Sequence, residues 1–500
     1  FTGCWPRSDK SPRPMPTPAR PLSERSRELT AVDRPLIGRE SKSRGTLMAD
    51  SATSSEIGRS FRSPTFLALE HPGFRRYYIG QGISLIGTWL QAAAVRWLVF
   101  DQTGSEFMLG LVEVASLMPG LLVGLYAGAL ADRIAPLRMI VLMELGQMVL
   151  ALLLSLLVGL EIVQIWQMIV ILALARICVT FELPSRQVFF YELVGPEILS
   201  NAIALNSGLF NATRVLGPAL AGVCLSVLGA TGCFALNGFS YLAAIAAVLS
   251  IRLDHPRPLI QRDAITIREI LGGLHYLRDD RRIFAQFALV SFFGIVGMGY
   301  EAMLPAYARR VVETGVYGYS LLLACGGIGA TVGAFAVASL GNLHRKELLT
   351  IAGMVLFGCS LAGAALLPLW LPAGSVSSLR LAVASSCLMG AGFGAVLLYA
   401  SSQTIIQLTV PHALRGRVMG IWMIAYSSSV PFGALWTGRA AQSWGVAPVM
   451  GLSAFLCIGM ALGAWMSGLL ANPRDVSAGP VNVPPGDDPP LPMDAPGGPL

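Results

Sequence analysis

Long apolar runs separated by short polar stretches fill most of the chain between residues 77 and 470. Each run reaches the roughly 20 residues that an α-helix needs to cross the hydrocarbon core of a bilayer. The apolar residues are continuous rather than alternating, which argues against the strands of a membrane barrel. The pattern predicts an all-α membrane protein with twelve transmembrane helices, near residues 77–100, 105–130, 138–160, 164–185, 199–227, 231–251, 284–308, 317–340, 347–370, 379–402, 416–437 and 446–470.

The longest internal polar stretch divides these runs into two sets of six. We therefore expect two pseudo-symmetric six-helix bundles, at 71–251 and 283–470, a layout typical of transporters with two related halves. Between them, the cytoplasmic connector 252–282 has apolar positions at helical spacing, which predict an amphipathic helix on the membrane surface. Residues 1–70 and 471–500 are expected to be disordered tails, because they are polar and lack periodicity.

The first residues raise a separate question, because the chain opens on Phe1 rather than on methionine. The segment Met48-Ala-Asp-Ser-Ala-Thr resembles a translation start. Residues 1–47 either belong to the native protein or precede its true start, and the sequence leaves both open.

Composition agrees with a membrane protein: 54% of the residues are hydrophobic and only 13% are charged, against about 25% charged in soluble domains. The net charge of +7 reflects arginines in the connections, as membrane orientation requires, and we expect no nucleic-acid partner. Basic residues concentrate on one side, which predicts a multi-pass protein of the cytoplasmic (inner) membrane with both termini in the cytoplasm. The basic residues assigned to the cytoplasmic side include Arg186, because Pro184-Ser-Arg186 is predicted to end the fourth helix.

Cysteine, histidine and motif usage argue against an enzyme. Seven of the eight cysteines lie in apolar runs, where cysteine acts as a small hydrophobe. The five histidines lie in polar connections without partners at ligand spacing, so we expect no metal and no cofactor. A phosphate-binding Walker loop is missing from the sequence, and no catalytic grouping is recognisable.

A short charged hairpin joins the second and third predicted helices. It reads Gly128-Ala-Leu-Ala-Asp-Arg-Ile-Ala-Pro-Leu-Arg138. This pattern resembles the loop between the second and third helices of major facilitator superfamily transporters. The resemblance implies a cytoplasmic gate in which Asp132 meets the start of helix eleven when the cytoplasmic side is closed. The alternative is that Asp132 only caps its own turn. The gate candidates are Gly128, Asp132, Arg133, Arg138, Arg415 and Arg417.

Further motifs extend the resemblance over about residues 72 to 440. They are Phe74-Arg-Arg, Gly80-Gln-Gly-Ile-Ser-Leu-Ile-Gly87, Leu183-Pro-Ser-Arg186, Asn201-Ala-Ile-Ala-Leu-Asn-Ser207, Asn211-Ala-Thr-Arg-Val-Leu-Gly-Pro-Ala-Leu-Ala-Gly222 and Arg415-Gly-Arg-Val-Met-Gly420. Together they resemble the major facilitator branch that contains the enterobactin exporter, the transmembrane secretion effectors. The run with Gly217, Pro218 and Gly222 resembles the fifth-helix motif of antiporters, and Leu172-x-x-x-Arg176 resembles a fourth-helix motif whose arginine is linked to proton movement.

Charged residues inside predicted helices are the main candidates for chemistry, because a charge at membrane depth costs at least about 2.5–3.5 kcal/mol on insertion scales. Glu113 is the first candidate for proton coupling, since it lies at about the depth of Arg96 on the antiparallel first helix. Glu301 is its counterpart in the second half. Glu144 lies near the cytoplasmic surface, which favours a gate ion pair. The alternative for all of these charges is pairing that only stabilises the fold.

Polar residues of the first and fifth helices are candidates for the substrate cavity. Arg214 lies one turn before Gly217-Pro218, where the missing proline N–H weakens the helix. Its alternative role is an ion pair to a neighbouring helix. Asparagine and glutamine also serve as interhelical contacts. The cavity candidates are Gln91, Arg96, Asn206, Asn211 and Arg214.

We therefore predict a secondary transporter that exports a small amphipathic molecule, siderophore or drug-like, by proton antiport. Its expected partners are that substrate, protons and the lipid bilayer, and we expect a monomer. An importer or uniporter of the same fold remains open, as does a transport-inactive membrane sensor or scaffold. The sequence does not identify the substrate.

Overall fold

A computed structural model describes residues 67–131, 134–251, 280–340, 346–372, 374 and 376–467. Its regular elements are all α-helices, which confirms the predicted fold class. The expected amphipathic helix of the connector, the carboxy-terminal tail and nearly all of the amino-terminal tail lie outside the described residues. The gate candidates Asp132 and Arg133 lie outside them as well.

Twelve segments cross from one end of the described part to the other. They are α1 (Pro72–Thr103), α2 (Glu106–Ala131), α3 (Pro136–Gly159), α4 (Ile165–Gly195), α5 (197–228), α6 (230–249), α7 (Arg281–Arg310), α8 (Val316–Ser339), α9 (Lys346–Ala365), α10 (Ser377–Thr409), α11 (His412–Trp444) and α12 (Val446–Met466). Short helical turns lie at Leu67–Glu70 and Leu367–Trp370. The ninth helix ends at Ala365, five residues before the predicted limit of 370.

Gly229 separates α5 from α6 within one continuous stretch of 53 residues, Glu197–Leu249. A straight helix of that length would measure about 80 Å, more than twice the roughly 30 Å of a bilayer core. Gly229 has φ 66° and ψ −174°, a conformation that only glycine adopts readily. The chain turns back at this glycine, and the stretch supplies two membrane crossings.

Contacts of α1 confirm that α6 runs in the opposite direction. Gly80 of α1 lies against Ala243, whereas Gly87, further along α1, lies against Asn237, which comes earlier in α6. The contacts between α1 and α5, compared in the same way, show that α5 runs parallel to α1. The predicted boundary between the fifth and sixth helices is therefore correct.

The fourth helix does not end at Pro184 and Arg186, so that prediction was wrong. The helix continues through both residues to Gly195, whose φ of 73° ends it. A proline within a membrane helix is tolerated because neighbouring helices compensate for the hydrogen bond that it removes. Here Phe189 and Phe190 follow the proline and pack against aromatic rings of α1. Arg186 consequently lies inside the bundle rather than in a cytoplasmic loop.

The two halves of the chain repeat the same packing. In the first half α1 packs against α5, α2 against α4, and α3 against α4 and α6. In the second half α7 packs against α11, α8 against α10, and α9 against α10 and α12. Each helix has its counterpart six helices later, so the halves form two pseudo-symmetric six-helix bundles, as predicted.

The two bundles meet through α2 with α11 and through α5 with α8. We call the end of the molecule at which α1 joins α2 the Gly104 end, and the opposite end, at which α3 begins, the Arg138 end. Gly110 lies against the backbone of Ala434, and Gly222 lies against Ser320. All four residues are in the helix halves nearer the Gly104 end. The bundles are therefore in close contact toward that end.

Candidate functional site

A cavity of about 60 Å³ lies between the two bundles. The amino-terminal bundle contributes residues of α1 and α5, and the carboxy-terminal bundle contributes residues of α7, α8, α10 and α11. The polar and aromatic members of the lining are Trp89, Arg96, Arg214, Tyr300, Glu301, Tyr399 and Tyr426. A site with apolar walls and a few charged and aromatic groups suits an amphipathic small molecule.

Arg96 and Glu113 form the first ion pair of this site. The Nε atom of Arg96 donates to Oε1 of Glu113 at 2.7 Å, across the antiparallel helices α1 and α2. The two side chains keep 20% and 26% of their surface exposed, and Arg96 lines the cavity. Arg176 of α4 lies within electrostatic range of both charges. Three of the predicted coupling and cavity residues are thus brought together; their roles stay predictions.

A second ion pair joins the two bundles. Nη2 of Arg214 on α5 lies 3.2 Å from Oε1 of Glu301 on α7. The guanidinium of Arg214 also lies 6.0 Å from the ring centre of Trp89, a cation–π contact. Because α5 and α7 belong to different halves of the molecule, this pair holds the halves together across the cavity.

The seventh helix is interrupted immediately before Glu301. The regular helical hydrogen-bond pattern stops at Val296 and resumes at Tyr300, with glycines at both ends of the intervening turn. The interruption frees the carbonyl oxygen of Ile295, which accepts a hydrogen bond from the indole of Trp436 at 2.6 Å. Discontinuous helices that place a charged group at the cavity are a recurrent device of secondary transporters.

Aromatic rings of the carboxy-terminal bundle line the other side of the cavity. Tyr399 and Tyr426 lie 4.5 Å apart between ring centres in a T-shaped contact. Phe293 packs edge-on against Tyr399 at 5.3 Å. Such rings present flat apolar faces with hydroxyl groups at their edges. The sequence analysis missed them, because single tyrosines on apolar helices resemble ordinary packing residues.

Ion pairs also close the Gly104 end. Arg310 of α7 lies 2.6 Å from the carboxylate of Glu106, and it donates to the backbone oxygen of Gly104 at 2.6 Å. Its neighbour Arg309 lies 2.7 Å from Asp101. Each pair connects the two bundles. The sequence analysis missed this set, because these residues fall at predicted helix ends, where charges are ordinarily solvated.

The remaining predicted cavity residues lie elsewhere in this conformation. The side-chain oxygen of Gln91 accepts from Asn237 at 2.8 Å, between α1 and α6. Asn211 donates to the backbone oxygen of Ser207 within its own helix. The lining of the cavity described above includes neither of them, nor Asn206. Their contact with a substrate stays a prediction.

The fifth-helix motif serves close packing. Gly217 lies directly against the side chain of Trp89, and Gly222 against Ser320 of the other bundle. Pro218 lines the cavity. The small residues thus let α5 approach both α1 and α8.

The cytoplasmic gate candidates are only partly described. Gly128 lies in the last turn of α2, and Arg138 is exposed at the start of α3. Arg415 and Arg417 lie in the first turns of α11. Their meeting with Asp132 stays a prediction.

In the described part of the chain, twelve helices form two repeats around a central cavity, which is the architecture of major facilitator transporters. Solved structures share the fold: the chain aligns with the nucleoside transporter NupG at a TM-score of 0.64 and 12% identity, covering 80% of this chain and 99% of that one. A bacterial homologue of the human lysosomal transporter Spinster, in an inward-facing and unoccupied conformation, aligns at a TM-score of 0.63 and 13% identity, covering 79% and 96%. The chain belongs to the transmembrane secretion effector family, whose profile matches residues 63–478.

Curated relatives of the chain are transporters rather than enzymes. The staphyloferrin A transporter of Staphylococcus aureus is 25% identical over 404 residues, covering 77% of this chain and 94% of the relative. Macrolide efflux protein A of Streptococcus pyogenes is 23% identical over 391 residues, covering 78% and 94%. The enterobactin exporter of Citrobacter koseri is 25% identical over 363 residues, covering 70% and 81%. The family named from sequence motifs is thereby confirmed.

Proposed function

We propose that this protein exports a small amphipathic molecule, siderophore or drug-like, from the cytoplasm in exchange for protons. The observation that carries the proposal is the ion pair of Arg214 and Glu301, which joins the two bundles inside the cavity. A proton that binds Glu301 removes the charge that holds Arg214. Proton binding at this one carboxyl group therefore weakens a contact between the halves that must move.

Alternating access follows from the same arrangement. The bundles meet at the Gly104 end, and cargo can pass that end only if α2 separates from α11 and α5 from α8. With both termini in the cytoplasm, as the arginine distribution favours, the Gly104 end is the external one. Arg310 and Glu106 then act as the external gate. Release of cargo requires this gate to open while the Arg138 end closes.

Two features support the choice of substrate class. The cavity combines arginine side chains with aromatic faces, which suits molecules carrying both acidic and apolar parts. The relatives are named for a siderophore, staphyloferrin A, and for macrolides. We propose a substrate of one of these two kinds, carried by a monomer in the cell membrane.

Transport in proteoliposomes tests the proposal. Purified protein is reconstituted, a pH gradient is imposed, and the accumulation of a radiolabelled macrolide and of radiolabelled staphyloferrin A is measured. We expect accumulation of at least one probe against its gradient, and its collapse when a protonophore removes the pH difference. The variant Glu301→Gln should lose pH-driven accumulation while it still exchanges external for internal substrate.

A matched control is available in Glu347→Gln. Glu347 also pairs with an arginine, Arg282, but at the start of α9 and outside the cavity lining. It should transport as the unchanged protein does. Accumulation in the direction opposite to export would favour an importer, and equilibration without accumulation would favour a uniporter. If neither probe moves, and cellular function instead depends on the tails 1–66 and 468–500, the sensor or scaffold alternative gains support.

A further inference from the structure

A buried polar cluster lies inside the amino-terminal bundle toward the Arg138 end, outside the cavity lining. Glu144 of α3 is fully buried, and the side chain of Glu182 of α4 is 4% exposed. Both carboxyl groups contact one guanidinium, that of Arg186, one turn beyond Glu182 on α4. Two acids therefore share a single base.

The hydrogen bonds around the two acids are unequal. Both oxygens of Glu182 accept hydrogen bonds, one from Arg186 and the other from Nε2 of Gln147 at 2.7 Å. The first oxygen of Glu144, Oε1, accepts from Arg186 at 3.0 Å. The second, Oε2, is buried and has no hydrogen-bond donor among the described residues. A buried carboxylate oxygen without a donor is costly, whereas a protonated one can itself donate.

The ionisable groups that face the pair come from three helices, α1, α4 and α6. Arg186 is the cation, and its Nη1 donates to the hydroxyl of Tyr77 on α1 at 3.0 Å. Cys178 of α4 and Tyr241 of α6 also lie within electrostatic range of Glu182. Apart from Arg186, these groups are neutral at neutral pH. With both acids ionised the cluster would hold one uncompensated negative charge.

Oε1 of Glu144 and Oε1 of Glu182 both contact Nη2 of Arg186, so the two carboxyl groups are neighbours. Two neighbouring carboxylates repel each other, which favours the state in which one of them is protonated. We propose that Glu144 and Glu182 bind one proton between them, carried on Oε2 of Glu144. The cluster is thus a proton-binding site within the amino-terminal bundle, distinct from the ion pairs of the cavity.

Polar contacts lead from this site toward the cavity. The hydroxyl of Tyr241 donates to Oε1 of Gln147 at 3.1 Å, and Gln147 donates to Glu182. Tyr241 in turn lies within electrostatic range of Arg176, and Arg176 lies within electrostatic range of Glu113. The proton site itself does not depend on the direction or the coupling of transport.

Infrared spectroscopy of the purified protein in nanodiscs tests the site, because a protonated carboxyl group absorbs apart from a carboxylate. We expect the full-length protein to show a protonated carboxyl at neutral pH that is lost reversibly in alkali. Glu144→Gln and Glu182→Gln should each remove one carboxyl from this signal, since the remaining acid then has Arg186 to itself. Glu347→Gln should leave the signal unchanged, because Glu347 has its own arginine.

The proposal is overturned if the unchanged protein lacks a protonated carboxyl at neutral pH, or if the signal survives in both cluster variants. If one variant does not insert into the membrane, the other variant tests the proposal. The alkaline titration of the unchanged protein tests it without any variant. Proton antiport is measured separately in proteoliposomes, so its failure would leave the infrared result intact.

Discussion

Arg310 on α7 reaches across to Glu106 on α2, with 2.6 Å between guanidinium nitrogen and carboxylate oxygen, and the Glu106 side chain is completely buried. A few residues away, Arg309 and Asp101 form a similar pair at 2.7 Å. Those two side chains are about half exposed. The Gly104 end is therefore closed by one pair whose acid is buried and whose arginine is half exposed, and by one pair in which both side chains are half exposed.

The burial difference predicts unequal effects on opening. Glu106→Gln should favour opening of the Gly104 end, because it removes the attraction between Arg310 and a carboxylate that is shielded from water. A change of about 1–2 kcal/mol shifts the balance of states by about five- to thirtyfold. The measurement is the labelling rate of a cysteine at Leu304 in the cavity, in a cysteine-free background, by an impermeant reagent added at the Gly104 side.

Asp101→Asn is the matched control for this prediction. An exposed ion pair contributes about 0–1 kcal/mol, so its labelling rate should stay within a few-fold of the parent's. Equal labelling in both variants would show that Glu106 does not hold the gate.

Close packing of α2 on α11 gives a second prediction. A methyl group at Gly110 would collide with the backbone of Ala434, whereas one at Gly459 of α12 would meet no neighbouring atom within 4 Å. We expect Gly110→Ala to hinder closure of the Gly104 end and to slow transport at least severalfold. Gly459→Ala should transport normally. Comparable transport by the two variants would rule out a tight backbone contact at α2 and α11 as part of the cycle.

Much of the fold could be predicted from the sequence because the bilayer imposes a simple rule. Runs of about 20 apolar residues must be helices, and α12 begins at the predicted residue, Val446. The end of α4 could not be predicted in this way. Pro184 is a stop signal in water, but in the described bundle the following rings of Phe189 and Phe190 continue the helix against α1.

Part of the candidate site could also be predicted from the sequence. Arg96 and Glu113 lie at matching depth on adjacent antiparallel helices, so their proximity follows from topology. The partner of Glu301 does not, because Arg214 belongs to the other bundle and the contact depends on how the halves pack. The contact of Glu144 and Glu182 with Arg186 could not be predicted either, because Arg186 belongs to the unforeseen extension of α4.

Replacing Glu113 should impair proton-coupled transport without preventing the protein from folding. Glu113→Gln keeps a hydrogen-bond acceptor for Arg96, so we expect a folded protein whose stability falls by about 1–3 kcal/mol. Proton-driven accumulation should fall to the level of empty liposomes if this carboxyl group carries the proton. Glu113→Asp, which retains the charge, is the control. Normal accumulation by Glu113→Gln would place the proton path elsewhere.

The Arg138 end yields a prediction about Asp132. Nε of Arg415, in the first turns of α11, is buried without a hydrogen-bond partner among the described residues. A helix amino terminus attracts a carboxylate by about 0.3–1 kcal/mol, and by up to about 2 when partly buried. We expect Asp132→Asn to insert and fold, to export poorly, and to favour the inward-facing state.

The labelling rate of a cysteine on the cytoplasmic side of the cavity measures this shift toward the inward-facing state. Its labelling from the cytoplasmic side should rise in Asp132→Asn, by about five- to thirtyfold for a contact of 1–2 kcal/mol. An unchanged rate would mean that Asp132 caps only its own turn.

Orientation in the membrane can be tested with single cysteines. External reagent should label a cysteine at Gln102, which is exposed at the Gly104 end, and should not label one at Gln261 of the connector. Gly104 itself is a poor choice, because its φ of 60° strains any side chain. The reverse pattern of labelling would place both termini outside.

The volume of the central cavity has a consequence for affinity. About 60 Å³ is far below the roughly 300–1,000 Å³ of pockets that enclose drug-sized ligands. A substrate of the proposed kind would therefore bind a wider conformation than this one, and the apparent dissociation constant would equal the intrinsic one divided by the fraction of molecules in that state. If one molecule in a hundred is wide enough, binding measured at equilibrium is about a hundredfold weaker than the contacts themselves would give. Variants that widen the cavity should thus bind more tightly without gaining a single new contact.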